Sequence, residues 1–443
     1  MKRFYVRPLL IALCAAGITV LSVESFGSGF QLFEQDGASV GNYHAGYAAE
    51  AADASTAFYN PAGITRFQNQ QIVIAGVGVA TNVKYKGTVA VNTITTLDGQ
   101  PQVFPVTSQG GVFAFVPAVH YVTPLSERVG FGFSIDVPFG LKVDYGRSTQ
   151  LRYASTLSSV QVIDISPTLA IKATDKLSFG AGPDIQSMRG EFNQEGTLGG
   201  AELDSDGINS ADDTGYGYHA GALYEFSPET RAGLSYHSQV VHHLTGTSDF
   251  TGPLARDDGL TGPTHSQRAL VNITLPPYTA LSVFHKINPQ FAVMASAVFT
   301  QWDTIQNLTL RDVAGVSGTD RIANMTVVIP QYYRNTWNLS VGGDYYATDK
   351  IILRSGIGFD QTPVSSTYRN VQMPDNNRYV VAVGGHYQAT KSVGMDLGWM
   401  HLFINKAHII PPPQVTGSEI AYTNGSVTAG ADVFSAQVTW DII

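Results

Sequence analysis

Apolar and polar residues alternate along most of the chain after Gln70. A period of two places successive side chains on opposite faces of a β-strand. In the segment 177–186, the apolar face carries Leu177, Phe179, Ala181 and Ile185, and the other face carries Ser178, Gly180, Gly182, Asp184 and Gln186. The last segment repeats the pattern, with Phe434, Ala436, Val438, Trp440 and Ile442 opposite Ser435, Gln437, Thr439 and Asp441. Each predicted strand therefore has one apolar and one polar surface.

Two kinds of connection separate these segments, and they alternate along the chain. The short connections contain turn-forming residues and lie at 123–127, 174–176, 227–230, 288–290, 348–350 and 390–392. The long connections are polar and Gly-rich and lie near 87–110, 137–157, 191–214, 244–265, 304–330, 362–376 and 405–430. Outer-membrane β-barrels combine short periplasmic turns with long external loops. The pattern therefore predicts such a barrel, with both of its ends on the periplasmic side.

The connections divide the chain into about fourteen strands, and an even number suits a single-chain barrel. We predict strands at 70–86, 111–122, 128–136, 158–172, 177–190, 215–226, 230–243, 266–287, 290–303, 331–347, 350–361, 377–389, 392–404 and 431–443. The fold class is all-β, a transmembrane antiparallel β-barrel formed by residues 70–443. A soluble sandwich also alternates, but it does not explain so many strands in one meander or the aromatic residues near strand ends, such as Trp302, Tyr345 and Trp440.

The chain before Gln70 divides into an export signal and a segment with weak periodicity. Lys2, Arg3 and Arg7 precede an apolar run from residue 9 to residue 23, which is typical of a secretory signal peptide. We place the signal peptide at residues 1–27. Residues 28–69 are small, partly polar and rich in turn formers. We predict that they form a compact plug in the barrel lumen, and we call this segment the hatch.

Composition excludes several other classes of protein. Charged residues make up 14% of the chain, whereas about a quarter is usual in soluble proteins. No long apolar run follows the N-terminal segment, which excludes a helical membrane protein. The net charge of −9 excludes a broad basic surface for nucleic acid. The single cysteine, Cys14, lies in the predicted signal peptide, so we expect neither a disulfide framework nor a cysteine metal site.

Candidate chemistry is sparse. One long loop contains five side chains with oxygen ligands, namely Asp204, Asp206, Asn209, Asp212 and Asp213, but their spacing does not match an EF-hand. A second candidate combines His237, His242 and His243, but in a strand His242 points away from the other two. The chain has no nucleophile elbow, P-loop or dinucleotide fingerprint. We therefore predict a protein that is not an enzyme, with no metal site and no cofactor.

An ordered series of short motifs resembles a known family. The motifs are Gly29-Phe30-Gln31-Leu32, residues 49–56, Asn60-Pro61-Ala62, Pro138-Phe139-Gly140-Leu141, residues 176–182, residues 287–290 with Trp302, Phe359-Asp360-x-x-Pro363-Val364 and Met373-Pro374-Asp375. Together they are similar to the FadL family of outer-membrane transporters for long-chain fatty acids, which includes relatives that take up toluene and other hydrocarbons. The likeness covers essentially the whole chain after the signal peptide.

The resemblance implies a route for a hydrophobic ligand. External loops capture it, an apolar lumenal pocket holds it, and movement of the hatch N-terminus releases it sideways through the barrel wall where the third strand kinks. Pro138, Phe139 and Gly140 match that kink, and Asn60, Pro61 and Ala62 match the hatch motif that faces it. Phe30 and Leu32 match ligand-contacting positions.

The resemblance does not decide whether the substrate has a charged end. Basic residues that hold a fatty acid carboxylate in the family align near Gln194 and Thr309, and neither residue is basic. Arg189 and Arg311 lie close by in sequence, and Arg189 is the candidate carboxylate ligand, although strand parity places it on the face of Leu177 and Phe179. Long-chain fatty acids and neutral hydrocarbons are therefore both open as substrates.

The resulting hypothesis is a Gram-negative outer-membrane transporter for passive uptake of long-chain fatty acids or similar hydrophobic molecules. The alternatives are an aromatic or alkane hydrocarbon channel of the same family, a general porin, and an adhesive surface barrel. The expected partners are a hydrophobic small molecule and outer-membrane lipids, with no nucleic acid. We expect a monomer, because each barrel carries its own pocket and exit.

Overall fold

The computed structural model describes residues 29–92, 101–197, 201–257, 259–317, 320–410, 414–416 and 419–442. The predicted signal peptide, residues 1–27, lies outside the described residues. Short helical turns occur at Ser39–Asn42, Tyr47–Glu50, Thr56–Tyr59, Pro61–Arg66, Gln150–Tyr153, Ala201–Leu203, Pro253–Arg256 and Trp302–Thr304. No helix in this part of the chain is long and apolar enough to cross a membrane.

Most described residues belong to strand segments of one sheet. The segments are β1 Gln70–Asn92, β2 Gln102–Gln109, β3 Phe113–Pro124, β4 Val129–Asp144, β5 Leu157–Lys172, β6 Leu177–Gly196, β7 Ser205–Ser227, β8 Thr230–His237, β9 Val240–Thr251, β10 His265–Leu275, β11 Tyr278–Asn288, β12 Phe291–Thr300, β13 Asn307–Ser317, β14 Asp320–Pro330, β15 Thr336–Thr348, β16 Ile351–Asp360, β17 Arg378–Gln388, β18 Val393–Ile404, β19 Ala407–Ile409, β20 Gln414–Thr416 and β21 Glu419–Ile442.

These segments form a closed antiparallel barrel of fourteen wall strands, which confirms the predicted count. Four wall strands consist of two consecutive segments each, β8–β9, β10–β11, β12–β13 and β14–β15, because each pair continues along the same neighbours. The first and last strands close the barrel, with Gln70 paired to Ile442 and Ile74 to Val438. The short segments β2, β19 and β20 pair with β1 and β21 at one end.

Several wall strands are longer than predicted. Strand β4 continues to Asp144 and β6 to Gly196, both within segments that we expected to be loops. Backbone hydrogen bonds hold strands together wherever two strands run side by side. Apolar and polar residues alternate only where one face of the strand also meets lipid. A strand that continues beyond the lipid keeps its hydrogen bonds but loses the alternation, so the sequence pattern ends before the strand does.

The predicted division into two faces is confirmed. On the outer face, large apolar side chains are exposed, for example Phe179 at 46%, Phe434 at 53% and Trp440 at 51%. The opposite faces of the same strands are buried in the lumen, among them Asp184 and Gln437. The outer face thus has the apolar character that a lipid environment requires.

The hatch fills the lumen, and its residues from Gly29 to Ile64 are almost all buried. Its path turns sharply, with positive φ at Tyr43, His44, Gly46 and Ala51. Polar wall side chains bind its backbone. For example, Arg231 donates to the carbonyl oxygens of Ala49 (2.9 Å) and Glu50 (2.7 Å). The wall thereby satisfies backbone groups that a segment without regular secondary structure would leave unpaired.

Candidate functional site

Two adjoining cavities lie in the lumen beside the hatch. The inner cavity has a volume of about 690 Å³ and is lined by Phe30, Leu141, Val160, Phe192, Asn272, Ile273, Thr274, Thr304, Ile305, Asn307, Leu308, Gln331, Tyr333, Gln372 and Met373. The outer cavity has a volume of about 760 Å³ and is lined mainly by residues 192–197, 310–316 and 325–329. Phe192 and Gln372 line both cavities. The two cavities therefore adjoin at these two side chains, and we describe them together as one site.

The site is apolar and carries no formal charge. Among the described residues that line the two cavities there is no Lys, Arg, His, Asp or Glu. The polar groups are carboxamides and hydroxyls, such as those of Asn272, Thr304 and Gln372. The Oε1 atom of Gln372 is buried and accepts no hydrogen bond. Apolar pockets with a few polar groups are typical of small-molecule sites, and here the free acceptor suits a ligand hydroxyl.

Phe30 lines the inner cavity, and two further aromatic rings, Phe139 and Trp302, pack against it. Phe30 of the hatch lies 4.9 Å from Trp302 and 5.8 Å from Phe139 of β4, measured between ring centroids. Phe139 and Trp302 are 6.1 Å apart. The three rings meet edge to face, which is a favourable arrangement for aromatic side chains. We call Phe30, Phe139 and Trp302 the aromatic cluster.

Behind the aromatic cluster, two wall strands separate. Strands β3 and β4 pair from Pro124 and Gly130 only as far as Val119 and Ile135. No described residue of β3 before Val119 pairs with β4, and those residues pair with β1 alone. In β4 the register with β5 shifts between Asp136 and Phe139, which is a β-bulge next to Pro138. Because Pro lacks an N–H and a bulge bends its strand, β4 turns away from β3 here.

The hatch N-terminus occupies the place where β3 would pair. The Gly140 N–H donates to the carbonyl of Phe30 (2.8 Å), and the Leu32 N–H donates to the carbonyl of Pro138 (2.9 Å). These two bonds flank Gln31 and Phe139, which face each other as an isolated antiparallel pair. The hatch therefore caps β4 as a short strand. Leu32 itself packs in an apolar cluster with Val137, away from the cavity lining.

The hatch motif lies elsewhere than the resemblance implied. Asn60 donates through Nδ2 to the carbonyl of Ala222 in β7 (3.0 Å). Pro61 and Ala62 pack against Gly180 of β6. The motif therefore faces β6 and β7, whereas residues 30–35 face the kink in β4. Chain order gave no indication of this, because both segments belong to the same irregular plug.

The structure places Arg189 on the outer face of β6, so a lumenal carboxylate contact by Arg189 is a wrong prediction. Its neighbour Met188 is fully buried, as strand alternation requires. Arg311 is exposed as well. Gln194 lines the outer cavity and is uncharged.

One lumenal cluster was missed in the sequence. Asp184 of β6, His219 of β7 and His237 of β8 lie together beneath the hatch, whereas chain proximity groups His237 with His242 and His243. A signal was present for two of them, since His219 and His237 lie equally far along the chain from Pro228 in the short turn. A hairpin about that turn pairs them directly.

Comparisons with known proteins agree with this architecture. The family model described as outer membrane protein transport protein (OMPP1/FadL/TodX) matches residues 18–442. A long-chain fatty acid transport protein from Salmonella typhi is 26% identical over 411 residues, which cover 87% of this chain and 90% of that protein. Outer membrane protein P1 from Haemophilus influenzae is also 26% identical, with 90% of each chain covered.

Solved structures show the same fold. The crystal structure of a Pseudomonas aeruginosa FadL homologue matches with a TM-score of 0.81 and 26% identity, covering 93% of this chain and 99% of that one. The Ralstonia pickettii toluene transporter TbuX matches with a TM-score of 0.63 and 18% identity, covering 93% of this chain and 100% of that one. At that identity the second likeness shows the shared fold alone.

The chain is thus an outer-membrane β-barrel of a Gram-negative bacterium, a transport protein and not an enzyme. With a family model that matches nearly its whole length and a plugged fourteen-strand barrel, it belongs to the OMPP1/FadL/TodX family of outer membrane transport proteins.

Proposed function

We propose that this protein carries hydrophobic small molecules across the outer membrane by binding them in the lumenal cavities and releasing them sideways between β3 and β4. One observation carries the proposal. The uncharged cavity ends at Phe30, and the backbone of Phe30 is the group that caps β4 at Gly140. Displacement of one hatch segment would therefore open the floor of the cavity and the gap in the wall together.

Physical chemistry favours sideways release over a route through the barrel axis. An apolar molecule that left along the axis would enter water, and exposure costs about 25 cal/mol for each Å² of apolar surface. The hatch also fills the lower lumen with buried residues. Release between β3 and β4 leads instead towards lipid. The process needs no energy source, since the ligand moves down its own concentration gradient.

We propose an uncharged long-chain molecule as the preferred substrate, with either a hydroxyl group or no polar end. Among the residues that the structure describes, no cationic side chain lines the inner or the outer cavity, whereas the Oε1 atom of Gln372 is a buried acceptor without a donor. A hydroxyl can donate a hydrogen bond to this oxygen, but a carboxylate cannot. The Salmonella relative is named for long-chain fatty acids, which supports the chain length. We also propose a monomer, because one chain contains the complete site.

A disulfide across the hatch and the kink tests sideways release. Gln31 and Phe139 form a non-hydrogen-bonded antiparallel pair, and the Cα atoms of such pairs lie about 4.5 Å apart, within disulfide range. The variant Gln31→Cys/Phe139→Cys, reconstituted in liposomes, should bind oleyl alcohol in both redox states. It should deliver the ligand to an acceptor in the membrane only after reduction.

The same protein in its reduced state is the matched control, because the two substitutions are then present without the lock. Equal delivery by the oxidised and reduced forms would rule out release past residues 30–32. Binding of the ligand in detergent reports on the cavity independently. Loss of binding to oleyl alcohol, hexadecane and oleate alike, with leakage of small sugars from liposomes, would instead support a general porin.

A further inference from the structure

Three lumenal side chains from neighbouring wall strands meet beneath the hatch. His219 of β7 is paired with Gly182 of β6 and with His237 of β8, so the ladder brings the two histidines beside Asp184. All three side chains are buried, with at most 5% of each residue exposed. Gly182 leaves room for the cluster, because a Cβ atom there would lie 2.8 Å from the His219 ring. The packing thus accommodates an imidazole at this position.

Both imidazoles direct the same ring atom towards one carboxylate. The Nδ1 atom of His219 lies 2.5 Å from Oδ1 of Asp184, and the Nδ1 atom of His237 lies 3.7 Å from Oδ2. Nitrogen and oxygen ligands about 2.0–2.1 Å from a tetrahedral metal are about 3.3 Å from each other. The two observed separations lie on either side of that value, and one ligand atom from each of the three residues lies within 4.8 Å of the other two. The three groups are therefore close enough to converge on a single ion.

The outward ring nitrogens already have partners of the kind that metal-bound histidines use. The Nε2 atom of His219 lies 2.8 Å from Oγ1 of Thr168, and the Nε2 atom of His237 lies 3.2 Å from the carbonyl oxygen of Phe58. A ligating histidine commonly donates its second N–H to such an oxygen, which fixes the ring orientation. With Nε2–H as the donor, Nδ1 carries the free lone pair and points at the carboxylate.

The carboxylates in and around this cluster are not balanced by positively charged side chains. Asp164 of β5 and Asp136 of β4 continue the row next to Asp184, and both are fully buried. Oδ1 of Asp164 and both carboxylate oxygens of Asp136 accept no hydrogen bond. Among the described residues, no Lys or Arg forms an ion pair with these three carboxylates. Buried carboxylates require protons or cations, because an isolated buried charge is very unfavourable.

We propose that Asp184, His219 and His237 bind a divalent transition-metal ion, with Zn²⁺ as the reference ion. Two imidazoles and one carboxylate are a ligand set that Zn²⁺ accepts, and a fourth position remains for water. The ion would link β6, β7 and β8. It would also hold the His237 ring against Phe58, so the wall and the hatch would be joined at this point. Mg²⁺ and Ca²⁺ prefer oxygen ligands and should not bind here.

Equilibrium dialysis of the tag-free protein in detergent, stripped with chelator and titrated with Zn²⁺, tests the proposal. We expect about one Zn²⁺ per chain and an increase in the midpoint of thermal unfolding. His219→Gln and His237→Gln should each weaken Zn²⁺ binding at least about tenfold. His386→Gln is the matched control, since it removes another lumenal His–Asp contact, that with Asp396, and should leave Zn²⁺ binding unchanged.

A second measurement uses the wild-type protein and therefore does not depend on the folding of those variants. Wild-type protein loaded with Co²⁺ should show visible d–d bands of a low-symmetry N/O site, and Zn²⁺ should displace them. Thr168→Val keeps all three ligands and should weaken Zn²⁺ binding about ten- to a hundredfold. The proposal is overturned if the wild-type protein binds no more Zn²⁺ than His219→Gln, or if Co²⁺ produces no d–d bands. In that case the cluster is a proton-balanced hydrogen-bond network.

Discussion

Asn60 and Gly221 are in such close contact that a Cβ atom on Gly221 would lie 2.0 Å from Oδ1 of Asn60. The neighbouring Gly180 is paired with Gly221 across β6 and β7, and a Cβ atom there would lie 2.5 Å from the carbonyl carbon of Pro61. Two adjacent strands therefore present a flat backbone surface to the hatch motif. Close approach of this kind is what glycine permits in a strand.

Gly221→Ala should therefore displace the hatch motif. The added methyl group competes with the amide of Asn60, which also donates to the carbonyl of Ala48 (2.5 Å). We expect a loss of about 1–3 kcal/mol in the free energy of unfolding, as is typical of overpacking. Thermal unfolding in detergent measures the change.

Gly385→Ala is the matched control, because its Cβ atom would contact only Ile352 and Leu353 at 3.4 Å or more. If both substitutions lowered the free energy of unfolding equally, the loss would come from replacing any glycine in a wall strand and not from contact with the hatch.

Phe30→Ala should make release of the ligand faster. The substitution removes a ring that lines the inner cavity and packs against Phe139 at the kink in β4, while the backbone bond from Gly140 to residue 30 is retained. Delivery of oleyl alcohol from proteoliposomes should accelerate, and small sugars should remain excluded because the rest of the hatch stays in place. Unchanged delivery would mean that the Phe30 side chain is not a barrier.

Gln372→Leu should distinguish ligands by their polar end. It removes the free acceptor in the cavity wall, so binding of oleyl alcohol should weaken by about 0.5–1.5 kcal/mol, the usual contribution of a hydrogen bond. Binding of hexadecane should be unchanged or stronger. Arg189→Ala, on the outer face of β6, should affect neither ligand in a fluorescence competition assay. A selective loss of oleate binding in Arg189→Ala would contradict the uncharged-ligand proposal.

Stability of the hatch should fall as the pH rises. Burial raises the pKa of Glu34 from its ordinary value of 4.5 to about 7 and that of Glu50 to about 8. Burial and the nearby Asp53 raise the pKa of Asp36 to about 7. The folded state thus binds protons more tightly than the unfolded state. The stability that these three protonated groups give to the folded hatch is fully present below about pH 4. It is lost as the pH rises through 7 and 8.

His44 acts in the opposite direction, because burial lowers its pKa from 6.5 to about 3, but it is one group against three. Glu34→Gln isolates one contribution. Relative to the wild type, this variant should be more stable at pH 8 than at pH 5, measured by hydrogen exchange of the hatch amides. An equal difference at both pH values would show that Glu34 does not titrate with folding.

The sequence by itself determined the barrel. Alternation with a period of two is a local property of a strand between lipid and lumen, so residues such as Phe179 and Asp184 revealed their faces without any tertiary information. Turn-forming residues then gave the number of strands. The same parity rule placed Arg189 outside, and the family motifs located the kink at Pro138.

Only the tertiary structure decided what meets inside the lumen. The pairing register of β6 with β7 follows from how the whole barrel closes, and no local signal encodes it. That register brings Asp184 to His219 and sets Gly180 and Gly221 beneath the hatch motif. The hatch has no period of its own, so its contacts with distant strands follow from packing in a closed space. For this reason the sequence could name Phe30 and Asn60 but could not say which part of the wall each of them touches.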